Sequence, residues 1–507
     1  MTERIDLLAN RTIVETAAED LRATYSSYAE QGYRLALVAA HHDLPGESGG
    51  ATMRIVYLLV AGPPDSRVEL HVSVDPDRPS VPSLADLSFP ASRFEREMHD
   101  LFGIEPSGHP RVARLVLHQH WPEGWHPMRA DCGSAPEFAD ESQPYPFLTA
   151  EGRGVYEIPV GPVHAGLIEP GHFRFSVVGE TILNVKARLW FVHKGIERLF
   201  QGRDFGAGNA LAERISGDSA VGHGLAYCLA LEDACGCIVA EPDQLLRAVL
   251  LELERIYNHV ADIGGLCNDV GFGLAQAHAL RIRERLLRLN AEVTGHRLLR
   301  GGVIPGGAKV LCLPDTAALD DIQADFHDVV DMALTNNTVV DRFTGTAALS
   351  GRQAAEIGTL GCVARGSGLA LDARHAHPFS DVYRELPVAV RETGDVLARF
   401  SVRVHEVDAS IALIRDACHR LGSHTGSCTR PDATAPPGHG VALVEGWRGT
   451  IAHRVELAAD GTVARAKIVD PSFFNWPALP IALAETIVPD FPLANKSFNL
   501  SYAGNDL

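Results

Sequence analysis

The chain of 507 residues has no apolar run long enough to cross a bilayer, a task that takes about 20 consecutive apolar residues. Any membrane association is therefore expected through partners. The opening stretch, MTERIDLLANRTIVETAAEDL, carries acids throughout and has no signal-peptide core. Positive charge is scarce: 45 Lys and Arg stand against 64 Asp and Glu, a formal charge of −19. That balance argues against nucleic-acid binding, which needs clustered cations for the phosphate backbone. The nine cysteines are scattered and odd in number, which fits reduced thiols in the cytoplasm better than a disulfide framework. There is no dinucleotide-binding glycine fingerprint, so NADH oxidation is not expected on this chain. Internal repeats and low-complexity tracts are also missing.

What is present reads as globular. Apolar residues make up 46% and charged residues 21%, and the length suggests more than one domain. Residues 1–120 read as a small α/β domain. YRLALVAAHHD, MRIVYLLVAG and RVELHVSV look like strands, punctuated by LPGESGG and AGPPD. A helix is expected from Ser92, with Ser92 and Glu95 as a capping box. Residues 121–155 read as a linker, rich in Pro, Gly and acids and extended over the surface. From 156 to 507 a mainly helical bundle with peripheral strands is expected. Two short strands (VYEIPVGPV and FRFSVVGETI) come first. In 243–263, Leu245, Leu246, Val249, Leu250, Leu253, Ile256, Tyr257, Val260 and Ile263 recur at helical spacing. Segments 276–300, 315–336 and 395–420 behave alike, with stops at Gly301-Gly302 and Asn336-Asn337. The expected fold class is α+β.

Three stretches carry the chemistry. In FEREMHDLFGIEPSGHPRVARLVL (94–117), Glu95, Glu97 and Asp100 make an acidic helix face, Gly103 ends the helix, and Arg111 and Arg114 could pair with the acids. This reads as an assembly surface rather than a catalytic site. It resembles the signature of the small hydrophilic subunit of respiratory complex I and its hydrogenase relatives. The second stretch joins GPVHAGLIEPGHFRFSVVGETI to RLWFVHKGIERL. It resembles the entry motif of the large subunit of complex I and of membrane-bound nickel–iron hydrogenases. Gly161, Pro162 and His164 would open a loop beside the active cavity, and Phe191, His193, Lys194, Gly195 and Glu197 match the motif that follows. Glu169 with Pro170 matches the hydrogenase form, in which that glutamate passes protons, as a desolvated carboxylate can. A loop-stabilising hydrogen bond is the plainer reading of Glu169.

The third stretch, LAERISGDSAVGHGLAYCLALE (211–232), resembles the hydrogenase helix R-x-C-G-x-C followed by histidine. Arg214, Gly217 and His223 keep their places, while Ser216 and Ser219 stand at the cysteine positions, on one face if the segment is helical. The hydrogenase D-P-C-x-x-C ending is here Asp470-Pro471-Ser472-Phe473-Phe474-Asn475. Nickel and low-spin iron need soft, deprotonated thiolates. Ser216, Ser219, Ser472 and Asn475 offer neutral hard donors, and a hard cation would want carboxylates, of which Asp218 and Asp470 lie nearby. No metal is expected. Cys235 and Cys237 read as core thiols, because a cluster needs four spaced ligands.

The resemblance runs from about 155 to 475 and is strongest to energy-converting hydrogenase-related large subunits of the formate hydrogenlyase and hydrogenase-4 kind. It implies a chain that binds no cofactor itself, beside partner iron–sulfur clusters, with a cavity for a quinone-like ligand. The complex I tyrosine that contacts quinone would fall at or near Gly217, and Tyr227 is ten residues on. Implied partners are a complex I-type small subunit with a proximal iron–sulfur cluster, a ferredoxin-like iron–sulfur subunit, and antiporter-like and other integral membrane subunits. The implied location is cytoplasmic, peripheral to the inner or plasma membrane. Glu169, His164 and Arg214 are the expected catalytic residues. Ser216, Ser219, Ser472, Asn475, His223 and Asp470 are expected to border the old metal position. Three readings follow: an oxidoreductase subunit, a scaffold whose cavity transmits conformational change, and a working hydrogenase, which the missing thiolates disfavour. A cavity left open beside these residues would favour the first.

Overall fold

The computed structural model describes residues 2–6, 10–43, 51–138, 145–165, 168–432 and 438–507. The LPGESGG turn and residues 139–144 of the linker lie outside them. Strands β1 (Thr2–Asp6), β2 (Arg11–Glu15), β3 (Arg34–Asp43), β4 (Thr52–Ala61) and β5 (Ser66–Val74), with helix α1 (Leu21–Glu30) between β2 and β3, build the N-terminal sheet. Its order is β1-β2-β5-β4-β3, with β2 and β5 parallel. β4 is buried from Ile55 to Val60, which is why its sequence is a continuous apolar run rather than an alternation.

Helix α2 (Phe89–Phe102) starts a turn earlier than expected, because Pro90 is pre-shaped for a first helical turn. The Ser92–Glu95 capping box is therefore not formed. Ser92 instead meets His109 Nε2 at 3.0 Å. Glu95 is buried and accepts from Ser83 Oγ and the Leu84 amide, both at 2.6 Å. Burial outweighs those bonds and pushes its carboxyl up to about 6. Gly103 does end the helix, at φ +74°; a Cβ there would lie 2.7 Å from the His126 ring.

The expected pairing of the helix acids with Arg111 and Arg114 is also overturned. Asp100 accepts from the amides of Leu115, Val116 and Leu117, and Glu97 binds Lys467 at 2.6 Å. Arg111 and Arg114 donate to carbonyls of Pro146, His118 and Trp121. The acids face inward, since each satisfies a donor that burial would otherwise leave unpaired. Up to Gly154 the linker holds no helix or strand among its described residues, yet its first part is not simply laid over the surface. Trp121 and Trp125 stack at 5.3 Å, and Met128 is buried with its amide on Leu101 O.

The larger part opens with β6 (Val155–Val160), β7 (His172–Val178) and β8 (Thr181–Arg188), an antiparallel sheet. FRFSVVGETI thus supplies a hairpin, turning at Gly179 (φ +59°), rather than one strand. The longer helices that follow are α3 (Phe205–Ala212), α4 (Ala220–Cys235), α5 (Glu241–Asp269), α6 (Gly273–Thr294), α7 (Thr316–Leu334) and α8 (Val396–Leu421). α6 stops at Gly295, φ +82°, before the expected Gly301-Gly302. Asn336 caps the following short helix through the Thr338 and Val339 amides. The chain closes with the antiparallel strands β9 (His439–Gly446), β10 (Gly449–Leu457) and β11 (Val463–Val469), then α9 (Pro471–Asn475), α10 (Phe491–Phe498) and α11 (Tyr502–Asp506). One apolar core fills the bundle around α5. A second runs from the N-terminal sheet through Phe173 to Phe473 and Trp476, with Phe94 of α2 stacked on Phe473 at 4.6 Å. Among the described residues no helix is long and apolar enough to cross a membrane.

Candidate active site

Ser216 and Ser219 do not lie together on a helix, as the spacing suggested. They flank a turn between α3 and α4, closed by the Ser219 amide on Ser216 O at 3.1 Å. Serine and aspartate side chains compete with the helical ladder for nearby polar groups, and here they win. The Asp218 carboxylate accepts from Ser216 Oγ at 3.0 Å and from Ser219 Oγ at 3.3 Å. Its backbone carbonyl accepts from Asn258 of α5 at 2.8 Å and from Trp447 Nε1 at 2.9 Å. Trp447 and Arg448 form the β9–β10 turn. Arg448 grips both Asp218 oxygens at 2.6 Å, a two-pronged contact only a guanidinium makes, and lies 3.9 Å over the Trp447 ring. Burial opposes charge on Asp218, but Arg448 holds its carboxyl below the usual range.

The Asp470-Pro471 motif is a helix start. Asp470 Oδ1 accepts the Ser472 amide at 2.7 Å, with proline at the first position of α9. Asp470 Oδ2 accepts from His223 Nε2 at 3.1 Å, and His223 Nδ1 lies 3.1 Å from His453 Nε2. All three side chains are buried. Burial and then the neighbouring His223 hold His453 well below its usual pKa. The consistent assignment is a neutral His453 donating from Nε2, which leaves its Nδ1 without a hydrogen-bond partner among the described residues.

Ser472 and Ser216 are joined through Ser501 of the segment NKSFNLSYAGNDL. The Ser501 amide donates to Ser472 Oγ at 2.9 Å, and Ser501 Oγ meets Ser216 Oγ at 2.9 Å. The Asn475 side chain is engaged on both atoms by the Leu360 backbone, at 2.8 and 3.1 Å. Hydroxyls and an amide that already hold protein hydrogen bonds, with Ser501 between two of them, do not fit a thiolate-bridged nickel–iron centre.

Beside this cluster opens a cleft of about 800 Å³, lined by Glu169, Ser216, Asp218, Arg448, Asp262 and Tyr502 among others. Glu169 is half-buried and accepts the Ala503 amide at 3.0 Å, so it braces a loop and also faces the cleft. His164 and Arg214 are not brought there. His164 Nε2 donates to Gly171 O at 2.8 Å, tightening the Gly-Pro-x-His loop. A Cβ on Gly161 would lie 2.1 Å from that carbonyl. Arg214 is exposed and turns back on the Ala210 carbonyl. Sequence reading missed Arg448, which sits far from the motifs. It also missed Glu254, a buried carboxyl that accepts the Val221 and Gly222 amides at 2.7 and 2.9 Å. Burial raises its pKa to about 8, with nearby Asp218 adding to the effect.

Comparisons with known proteins agree with this architecture. Residues 14–137 match the family model of the respiratory-chain NADH dehydrogenase 30 kDa subunit, and residues 269–433 that of the 49 kDa subunit. The chain is 31% identical to hydrogenase-4 component G of Escherichia coli over 85% of its own length and 77% of that protein. It is 31% identical to formate hydrogenlyase subunit 5 of the same organism, covering 87% and 79%. It is 28% identical to the NADH-quinone oxidoreductase C/D protein of Phocaeicola vulgatus, covering 83% and 84%. Among solved structures it resembles a chain of the membrane-bound sulfane sulfur reductase, an archaeal respiratory membrane complex. There the TM-score is 0.65 at 25% identity, over 71% of this chain and all of that one.

Proposed function

The chain belongs to the family of fused 30 kDa–49 kDa respiratory-chain subunits that includes hydrogenase-4 component G and formate hydrogenlyase subunit 5, and from that premise we propose an oxidoreductase subunit that works without a nickel–iron centre. It would sit in the hydrophilic arm of a membrane respiratory complex. Electrons would come from the iron–sulfur cluster of a small partner subunit, fed by a ferredoxin-like one, with antiporter-like membrane subunits moving ions. The acceptor would be a quinone-like molecule in the cleft beside Ser216. The observation that carries this reading is the cleft itself: it lies against Ser216, one of the four substituted metal-ligand positions, and is walled by Glu169 and the Asp218–Arg448 pair.

Reducing a quinone takes two electrons and two protons. The Arg448 guanidinium, fixed by Asp218, offers hydrogen-bond donors that would hold and orient a quinone oxygen in the cleft. Glu169 stands at the cleft edge and would deliver both protons in turn, recharged from solvent after the first, and Ser216 and Tyr502 would supply polar contacts. His164 acts through the loop it braces.

Replacement of Glu169 by glutamine keeps the acceptor for the Ala503 amide but removes the acid. In the complex purified with its native partners, Glu169→Gln is expected to lower quinone-analogue turnover roughly 100-fold, the usual weight of a positioned acid. Unchanged turnover would contradict a proton role. One observation favours a scaffold instead: Ser501 occupies the space between Ser216 and Ser472. On that reading the complex would transfer electrons with equal speed whether Glu169 is present or replaced.

A further inference from the structure

We infer that Glu69, His71 and His439 form a site for a divalent transition-metal ion, zinc by its chemistry, which fastens the N-terminal sheet to the β9–β11 sheet. Strand periodicity sets Glu69 and His71, two apart on β5, on one side of the N-terminal sheet. His439 opens β9, which packs opposite. His71 Nε2 lies 2.8 Å and His439 Nε2 3.4 Å from Glu69 Oε2, and the three ligand atoms lie within 4.8 Å of one another. Four bonds of about 2.0–2.1 Å in a tetrahedron place ligand atoms roughly 3.3 Å apart, close to the two separations from Glu69, and the histidine nitrogens, within 4.8 Å of each other, would close on the ion. Two histidines and one carboxylate are a familiar zinc set.

Two buried atoms point to a ligand. Glu69 is fully buried, yet its Oε1 has no hydrogen-bond partner among the described residues, and neither has His439 Nε2. Arg11 Nε lies 3.7 Å from Oε1. Arg454 reaches Oε2 at 3.2 Å, but both guanidiniums have other carboxylates: Arg11 binds Asp233 and Arg454 binds Glu456. A bound dication would therefore meet a carboxylate whose arginine neighbours are shared. Glu15 Oε1 lies 3.7 Å from His71 Nδ1, a short move from the outer-carboxylate position that would hold a proton on that nitrogen and leave Nε2 free for metal. The His439 side chain is 24% exposed, which gives an ion a way in and a water room to complete the coordination.

The test uses the full chain without an affinity tag, stripped with a chelator, titrated with Zn²⁺ and assayed for retained metal after gel filtration. One equivalent is expected to bind and to raise the thermal midpoint. His439→Asn and Glu69→Gln should weaken this binding at least about 100-fold, and Glu15→Gln about tenfold, as outer-shell losses do. Binding unchanged in His439→Asn and Glu69→Gln would assign the zinc to cysteines and overturn the proposal, as would no retained zinc. Should the variants fail to fold, Co²⁺ in the unmodified chain decides. Strong visible bands of a four-coordinate ion without near-ultraviolet sulfur-to-cobalt charge transfer support the site; such charge transfer, or the weak bands of a six-coordinate surface ion, contradicts it.

Discussion

Arg448 holds Asp218 with two 2.6 Å contacts while its flat face covers Trp447. Lysine would keep the charge and lose both the fork and the stacking. If the guanidinium orients the acceptor, Arg448→Lys should raise KM for a quinone analogue about tenfold and change kcat less, the sign of lost positioning. Equal loss in kcat with KM unmoved would place Arg448 in the chemical step instead. Glu254 gives a pH prediction. Its pKa is about 8 in the folded chain and near the ordinary 4.5 unfolded, so between those values the folded state binds more protons. Its contribution to stability is full below about pH 4.5 and is lost as pH rises towards 8. Glu254→Gln, which still accepts the two amides, should therefore show a smaller drop in thermal midpoint between about pH 6 and 8 than the natural chain. Identical slopes would mean that another group titrates there.

Elements were legible where one principle ruled. β3, β4 and β5 followed from runs of β-branched and aliphatic residues, and α5 from its three- and four-residue spacing. The start of α2 was misread because Ser92 and Glu95 satisfy the capping-box pattern while their side chains are drawn to His109, Ser83 and Leu84 by tertiary packing. The Ser216–Ser219 segment looked helical because its spacing is helical. Only Arg448, 230 residues away, shows why the chain turns at Asp218 instead. The same distance explains the candidate site: the motif positions could be named from sequence, but the cleft depends on α5, the β9–β10 turn and α10, whose meeting no local pattern reveals. Close packing of α4 on β9 depends on Gly440, where a Cβ would stand 2.1 Å from Ala230 O and 2.4 Å from the Ala234 amide. Gly440→Ala is expected to cost about 1–3 kcal/mol, as overpacking does, measured by urea unfolding. A neutral result would show that helix and strand can part without penalty.

At the scale of the whole molecule, the N-terminal sheet and the helical part share an apolar core and a set of buried ion pairs. Lys467 of β11 lies between Glu97 of α2 and Glu197, at 2.6 and 3.2 Å, and Arg465 shares Glu197 at 2.8 Å. Lys467→Met should destabilise the chain by about 3–5 kcal/mol, because a buried carboxylate is left without its cation. A double Lys467→Met, Glu97→Leu variant should recover most of that loss. These ties hold the N-terminal sheet to the helical part. On the proposed reading the cavity serves without nickel, since Ser216, Ser219, Ser472 and Asn475 cannot replace four thiolates. The most direct test is nickel and iron content, with hydrogen uptake, in the chain purified together with its native partners. Iron from the partners' clusters, no nickel and no hydrogen uptake is the predicted result; stoichiometric nickel with hydrogen uptake would contradict it.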